Sequence, residues 1–355
     1  MFTRKIFVLS FTLFTLLVTY FIFTTTTNSN SKVRQQQDKV KACFVILIRN
    51  NELPGIMSTL TQIEDKFNKQ YQYDYIFLNN EPFTDHFKQS TSLVTQANVK
   101  YGLVNASLWG YPSFINQTLA AERRLELEQQ GVPYALSESY RHMCRFQSGY
   151  FFRHPLLDEY EYYWRLEPYV DYYCKIDYDV FRYMKENKKK YGFNIAYTEH
   201  IESVPSLWDT VLQFQRDHPK MTQSLPKDNL IHFVTSDNGK TYNTCHFWSN
   251  FEIGDLSLWR SKEYLSLFDY LDKSGGFYYE RWGDAPVHSI AASLLLRKSE
   301  FHFFNDIGYR HTTLTHCPTE QEYRSKCTCD PSVNFDFDLE QSCYPNYLDA
   351  LVNSS

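Results

Sequence analysis

Residues 42–48 read ACFVILI, an unbroken apolar run that gives way at once to Arg49, Asn50 and Asn51. A run so short and apolar on both faces is the pattern of a strand covered on both sides, and such strands belong to mainly parallel sheets. Next, LPGIMSTLTQIEDKFNKQY has helical spacing, while YDYIFLNNEPF and VKYGLV read as a second and a third strand. SESYRHMCRFQSGYFFRHPLL reads as a helix with Ser137 or Ser139 as its cap, and YYWRLEPYV as a strand that ends in acids. Strands alternating with helices predict an α/β fold, a mainly parallel central sheet flanked by helices. No repeat and no second break in composition divides the chain, so residues 42–355 are expected to form one domain, irregular and Cys-rich from about 317.

Ahead of that strand the chain has a different character. Ile6 to Thr27 carries no charged residue, and Arg4 and Lys5 precede it. About 20 apolar residues span a bilayer core, and a basic flank keeps the preceding tail, residues 1–5, in the cytosol. We read 6–23 as a transmembrane signal-anchor and the polar 24–41 as a stem. A cleaved signal peptide is the rival reading, but no small-x-small cleavage site follows the run. Eight cysteines, at 43, 144, 174, 245, 317, 327, 329 and 343, form an even set that implies disulfides in a lumen. Their pairing stays open. Cys327 and Cys329 lack a His-rich partner motif, so zinc is not expected there. Sequons at Asn105, Asn116 and Asn353 agree with a secretory lumen.

Net charge is −5, with acids and bases mixed along the chain, which argues against a nucleic-acid partner. The 17% aromatic content suits a carbohydrate surface, although an aromatic core must account for most of it.

In open α/β sheets ligands sit beyond the carboxyl ends of strands. That singles out Arg49 to Glu52 and Glu167 to Asp171. Arg49 is either a solvated loop cation or a diphosphate contact. Acids at a strand end grip hard divalent cations, and an added imidazole tilts the choice toward Mn²⁺. Two Asp-x-Asp pairs are weaker candidates. Asp177 and Asp179 precede the amphipathic VFRYMKEN, where acids favour a helix start, and Asp336 and Asp338 lie in the Cys-rich tail. We read the first pair as capping and the second as surface, which leaves Glu167 better placed. Glu252, in HFWSNFEIGD, has apolar neighbours and no Lys or Arg nearby. A carboxylate so placed either lies on the wet face of a half-buried strand or has a partner or a task. Arg141 and Arg145 share a helix face, as phosphate contacts or as a salt-bridged pair. Asp284 reads as a helix-start acid and His288 as packed.

SESYRHMCRFQSGYFFRH, YWRLEPYVDYYCKIDYDVF, NGKTYNTCHFWSNFEIGDLSLWRS, GGFYYERWGDAPVHSIAASLLL and DIGYRHTTLTHCP closely resemble the fungal Golgi α-1,2-mannosyltransferases of glycosyltransferase family 15. The blocks stand in the family's order over about residues 42–350, and the anchor and stem match its type II layout. The resemblance implies a GT-A fold and Mn²⁺-dependent, retaining transfer of mannose from GDP-mannose to mannose-terminated O- or N-linked glycans of glycoproteins. It implies that Glu167 and His311 belong to the metal site, that Tyr140 is associated with the active site, and that Glu252 is the nucleophile. Arg49, Arg141 and Arg145 are the expected donor contacts. Lys175 stands where the family usually has Asp. The expected place is the Golgi membrane, as a single-pass type II protein. A relative of other linkage, including mannosylphosphate transfer, and a catalytically silent mannan-binding relative are the alternatives.

Overall fold

The computed structural model describes Lys39–Val352 apart from Asn238 and Leu339. The expected anchor, nearly all of the stem and the Asn353 sequon lie outside the described residues. Among the described residues no helix is long and apolar enough to cross a membrane. From Lys41 onward the chain is one unit.

Its centre is a seven-stranded sheet. The strands are β1 (Ala42–Leu47), β2 (Asp74–Asn79), β3 (Val99–Leu103), β4 (Tyr162–Arg165), β5 (Tyr191–Phe193), β6 (Glu252–Asp255) and β7 (Phe301–Phe303), in the spatial order β7-β5-β6-β4-β1-β2-β3. All neighbours are parallel except at β6, which runs antiparallel to both β4 and β5. The sheet is therefore mixed and mainly parallel. β1 lies inside it between β4 and β2 and is buried on both faces, as an unbroken apolar run requires.

Three helices position the site. α1 (Leu53–Ile63) follows β1 with Pro54 in its first turn. α2 (Glu138–Gly149) starts at Ser137, whose hydroxyl accepts the Tyr140 amide N–H at 3.1 Å. α3 (Asp284–Leu295) is buried along almost its whole length, and its Ala and Ser side chains let neighbouring elements approach closely. Aromatic rings fill much of the interior. Phe44, Phe67, Tyr73, Trp164 and Phe181 contact one another on one side of the sheet, and Phe193, Phe233 and Phe247 on the other. That accounts for most of the aromatic excess.

Six cysteines pair as Cys174–Cys327, Cys245–Cys343 and Cys317–Cys329, while Cys43 and Cys144 are buried thiols. The even count thus hides two unpaired residues. Cys174–Cys327 and Cys245–Cys343 tie the irregular C-terminal part to the rest of the domain, and Cys317–Cys329 closes a loop within it.

Candidate active site

The site begins where β4 ends. Side chains alternate along a strand, so Tyr163 and Arg165 share one face. β6 runs antiparallel beside them, with Glu252 opposite Arg165 and Gly254 opposite Tyr163. A Cβ on Gly254 would lie 2.7 Å from the Tyr163 ring, so only glycine lets that ring lie across β6. The Tyr163 hydroxyl then donates to Glu252 Oε1. Tyr191 donates to Oε2 at 2.8 Å, and His288 Nδ1 lies 2.9 Å from the same oxygen. His288, the expected packed histidine, stacks on Trp259 at 4.1 Å. Glu252 is 1% exposed. It has no wet face: two phenols and an imidazole compensate its lost hydration.

Arg165 is the residue that sequence reasoning passed over. Its guanidinium is buried and spans two carboxyl groups, with Nη1 on Asp284 at 2.5 Å and Nε on Glu167 at 2.7 Å. Ser249 donates to the same Asp284 oxygen at 2.8 Å. Burial alone would raise the Asp284 carboxyl, but Arg165 and Ser249 bring it below the usual range. At Glu167 burial wins, and the carboxyl is raised despite Arg165. Asp284 is no cap: Gly283 is the N-cap of α3, and the Asp284 side chain turns into the site. The signal was available. A lone cation inside the apolar YYWRL needs partners as much as Glu252 does.

Beyond Glu167 the chain leaves the main sheet and forms a short strand, Val170–Tyr172, which pairs with Tyr309–His311 so that His311 faces Val170. This ladder brings two distant motifs, EPYV and DIGYRH, to one place. Trp248 stacks on the His311 ring at 5.0 Å, and His311 Nδ1 is buried without a hydrogen-bond partner. Burial, with Arg165 adding to it, pushes the imidazole down to about 4. A neutral ring with an unpartnered buried nitrogen suits a metal. Glu167 gives Oε1 to Arg165 and keeps Oε2 outside that pair. Among the described residues no three His, Cys, Asp or Glu side chains gather as a complete cation cage. The arrangement fits an ion that takes its remaining oxygens from phosphates and water, as Mg²⁺ and Mn²⁺ commonly do.

A cleft of about 310 Å³ has Arg165 and Glu167 in its lining, and His311 lies outside that lining. One wall is made by strand ends and includes Arg49, Asn79, Asn80, Arg165 and Glu167. The other carries Trp109, Tyr134, Tyr140 and Met143. Arg49 is exposed, and its guanidinium reaches Ser139 at the start of α2, 2.8 Å away. The Tyr140 hydroxyl accepts from Arg281 at 3.2 Å, and its ring stacks on Tyr134.

Two expected donor contacts need correction. Arg141 is fully buried and bonds to the carbonyls of Ala135, Ser137 and Glu280 at 2.7, 3.2 and 3.2 Å. Arg145 makes a two-pronged pair with Asp272 at 2.7 and 2.8 Å. Neither lines the cleft, and although protein acceptors hold most of each guanidinium, Arg141 Nη2 and Arg145 Nη1 are buried without a hydrogen-bond partner. Glu252 likewise is absent from the cleft lining and lies behind it. Among the acids read as decoys, Asp179 caps its helix by accepting from Phe181 and Arg182, Asp177 pairs with Lys326, and Asp338 is exposed. Asp336 departs from the surface reading, because it is buried and bonded to His316 at 2.9 Å. Lys175 is exposed beside the Cys174–Cys327 bridge and does not line the cleft.

Comparison with known proteins adds to this geometry. The sequence profile of the glycolipid 2-alpha-mannosyltransferase family matches residues 22–352. A glycolipid 2-alpha-mannosyltransferase of Saccharomyces cerevisiae is 50% identical over 314 residues, 88% of this chain and 70% of that protein. An O-glycoside alpha-1,2-mannosyltransferase of Schizosaccharomyces pombe is 48% identical over 299 residues, 84% and 76% of the two chains. The crystal structure of core-mannan synthase A from Aspergillus fumigatus, a Mn/GDP form, superposes with a TM-score of 0.83 at 39% identity, covering 88% of this chain and 86% of that one. The Saccharomyces cerevisiae mannosyltransferase Ktr4p in complex with GDP gives 0.84 at 38% identity, covering 89% and 83%.

Proposed function

The chain belongs to the glycolipid 2-alpha-mannosyltransferase family, and on that premise we propose how its cleft carries out the transfer. It is a GDP-mannose-dependent, retaining α-1,2-mannosyltransferase of GT-A type that uses Mn²⁺. The observation that supports the site assignment is that Glu167, with Oε2 outside the Arg165 pair, lines a cleft edged by Arg49, while His311, with an unpartnered buried nitrogen, is tied to the same segment through its pairing with Val170.

Glu167 and His311 hold the metal, which when bound supplies positive charge against the departing diphosphate. Arg49 contacts the diphosphate from the strand-end wall. Arg165 holds Glu167 in place and, with Asp284 and Ser249, makes a rigid polar floor that needs no rearrangement during the reaction. Tyr140 borders the reacting sugar. Glu252 acts from behind the floor, with its oxygens bonded to Tyr163, Tyr191 and His288. Its role is therefore to position the floor and supply charge, and the acceptor hydroxyl attacks from the face that GDP leaves. Mannose-terminated glycans are the acceptors.

The protein works as a type II enzyme of the Golgi membrane. The uncharged run with its basic flank supports the anchor, and three disulfides support an oxidising lumen.

Release of GDP from GDP-mannose in the presence of methyl α-mannoside tests this reading. We expect release that needs Mn²⁺ and stops with a chelator. Undiminished release in chelator would overturn the metal assignment.

A further inference from the structure

Tyr134 is the most exposed large hydrophobic side chain of the cleft lining, at 64%, although a tyrosine ring gains by burial. Its backbone has φ +59, in the left-handed region that bulky residues seldom adopt. One face of its ring is covered by Tyr140, with centroids 4.6 Å apart and planes 4° from parallel. Stacking of this kind returns only about as much as left-handed backbone costs, so stability alone does not account for a tyrosine at this position.

The loop beneath it is held firmly. Ala135, Val132 and Leu127 form a small apolar cluster under the turn. The buried Arg141 donates to the carbonyls of Ala135 and Ser137, on either side of Leu136. Behind Tyr140, Arg281 donates to its hydroxyl and pairs with Glu199 at 2.9 Å. Tyr134 is thus a fixed ring with one open face, not a loose side chain.

The two walls of the cleft differ in charge. The strand-end wall holds Arg49, Glu52, Arg165 and Glu167. The rest of the lining, including Trp109, Tyr134, Ser137, Tyr140 and Met143, is uncharged, and Arg49 touches it at Ser139. A diphosphate and its metal belong on the first wall. The second offers rings and hydroxyls to a neutral ligand, and a pyranose has an apolar C–H face that lies flat on an aromatic ring.

We propose that Tyr134 is the platform on which the acceptor mannoside stacks, and that Arg141 is the positioning residue that fixes the loop presenting it. This rests on the mannosyltransferase reading above. With GDP-mannose and methyl α-mannoside, Tyr134→Ala should raise the acceptor KM by about tenfold or more, the size of one lost ring contact. The affinity for GDP with Mn²⁺ should stay unchanged. Tyr134→Phe keeps the ring and should restore the acceptor KM. Arg141→Lys keeps a cation but loses the fork, so it should raise the acceptor KM in a smaller measure, again without moving GDP affinity. An unchanged acceptor KM in Tyr134→Ala would overturn the platform, and so would a loss of GDP affinity in its place, which would assign the ring to the base. A wild-type protein that transfers no mannose would instead remove the mannosyltransferase reading, and the platform with it.

Discussion

Glu252 lies directly across the antiparallel ladder from Arg165, so the two side chains rise from the same face of the sheet. Arg165 lines the cleft and Glu252 does not. The carboxylate that sequence marks as a nucleophile is therefore one layer back, at 1% exposure, with hydrogen-bond partners on both oxygens.

Glu252→Gln places an amide NH₂ among groups that can all donate. We expect a stability loss of about 1–3 kcal/mol, the cost of frustrating a buried hydrogen-bond network. In the folded variant kcat should fall about a hundredfold, or about 2.7 kcal/mol, with GDP affinity retained. Mass spectrometry of the wild type under turnover should find no mannosyl adduct on Glu252. A trapped adduct there would restore the double displacement.

The fold class was legible because β1 is apolar on both faces and helical spacing follows it directly. Glu167 and His311 are marked in the sequence by their motifs, and only the ladder between Val170–Tyr172 and Tyr309–His311 shows that those two motifs run side by side. Arg141 and Arg145 were misjudged because a shared helix face says nothing about which acceptors wait opposite. Those acceptors are Ala135 O, Ser137 O, Glu280 O and Asp272, and the last two are more than a hundred residues away in the chain. Asp336 was misjudged for the same reason, since its partner His316 is 20 residues upstream.

Substituting the acids separates the metal site from the decoys. Glu167→Ala and His311→Ala should each weaken Mn²⁺-dependent GDP binding by tenfold or more, roughly the loss of one metal ligand, as measured by calorimetry. Asp177→Asn and Asp338→Asn should leave it unchanged. Asp336→Asn should lower stability instead, because it breaks the buried pair with His316.

Arg145→Ala leaves Asp272 buried without its partner. Chemical denaturation should show a loss of about 3–5 kcal/mol, the usual cost of orphaning a buried charge. GDP affinity of the folded fraction should be that of the wild type. A selective loss of GDP binding with unchanged stability would return Arg145 to the donor site.

His316 has acceptors at both ring nitrogens, Asp336 at 2.9 Å and the Asn305 carbonyl at 3.0 Å. Burial would lower its imidazole, but Asp336 more than offsets this and holds it above its ordinary value of 6.5. A raised folded value means the unfolded chain releases its proton first as pH rises. This pair's stabilisation is therefore complete below 6.5 and is lost as pH climbs through the raised value. Thermal melts across that range should show His316→Gln less stable at acidic pH and flatter in its pH profile than wild type.

The most direct measurement is the structure of the product. Purified protein with GDP-mannose, Mn²⁺ and methyl α-mannoside should yield a dimannoside whose NMR spectrum shows an α-linked mannose on the 2-hydroxyl. A β-linked product, a bond to another hydroxyl, or a transferred mannosylphosphate would contradict the account.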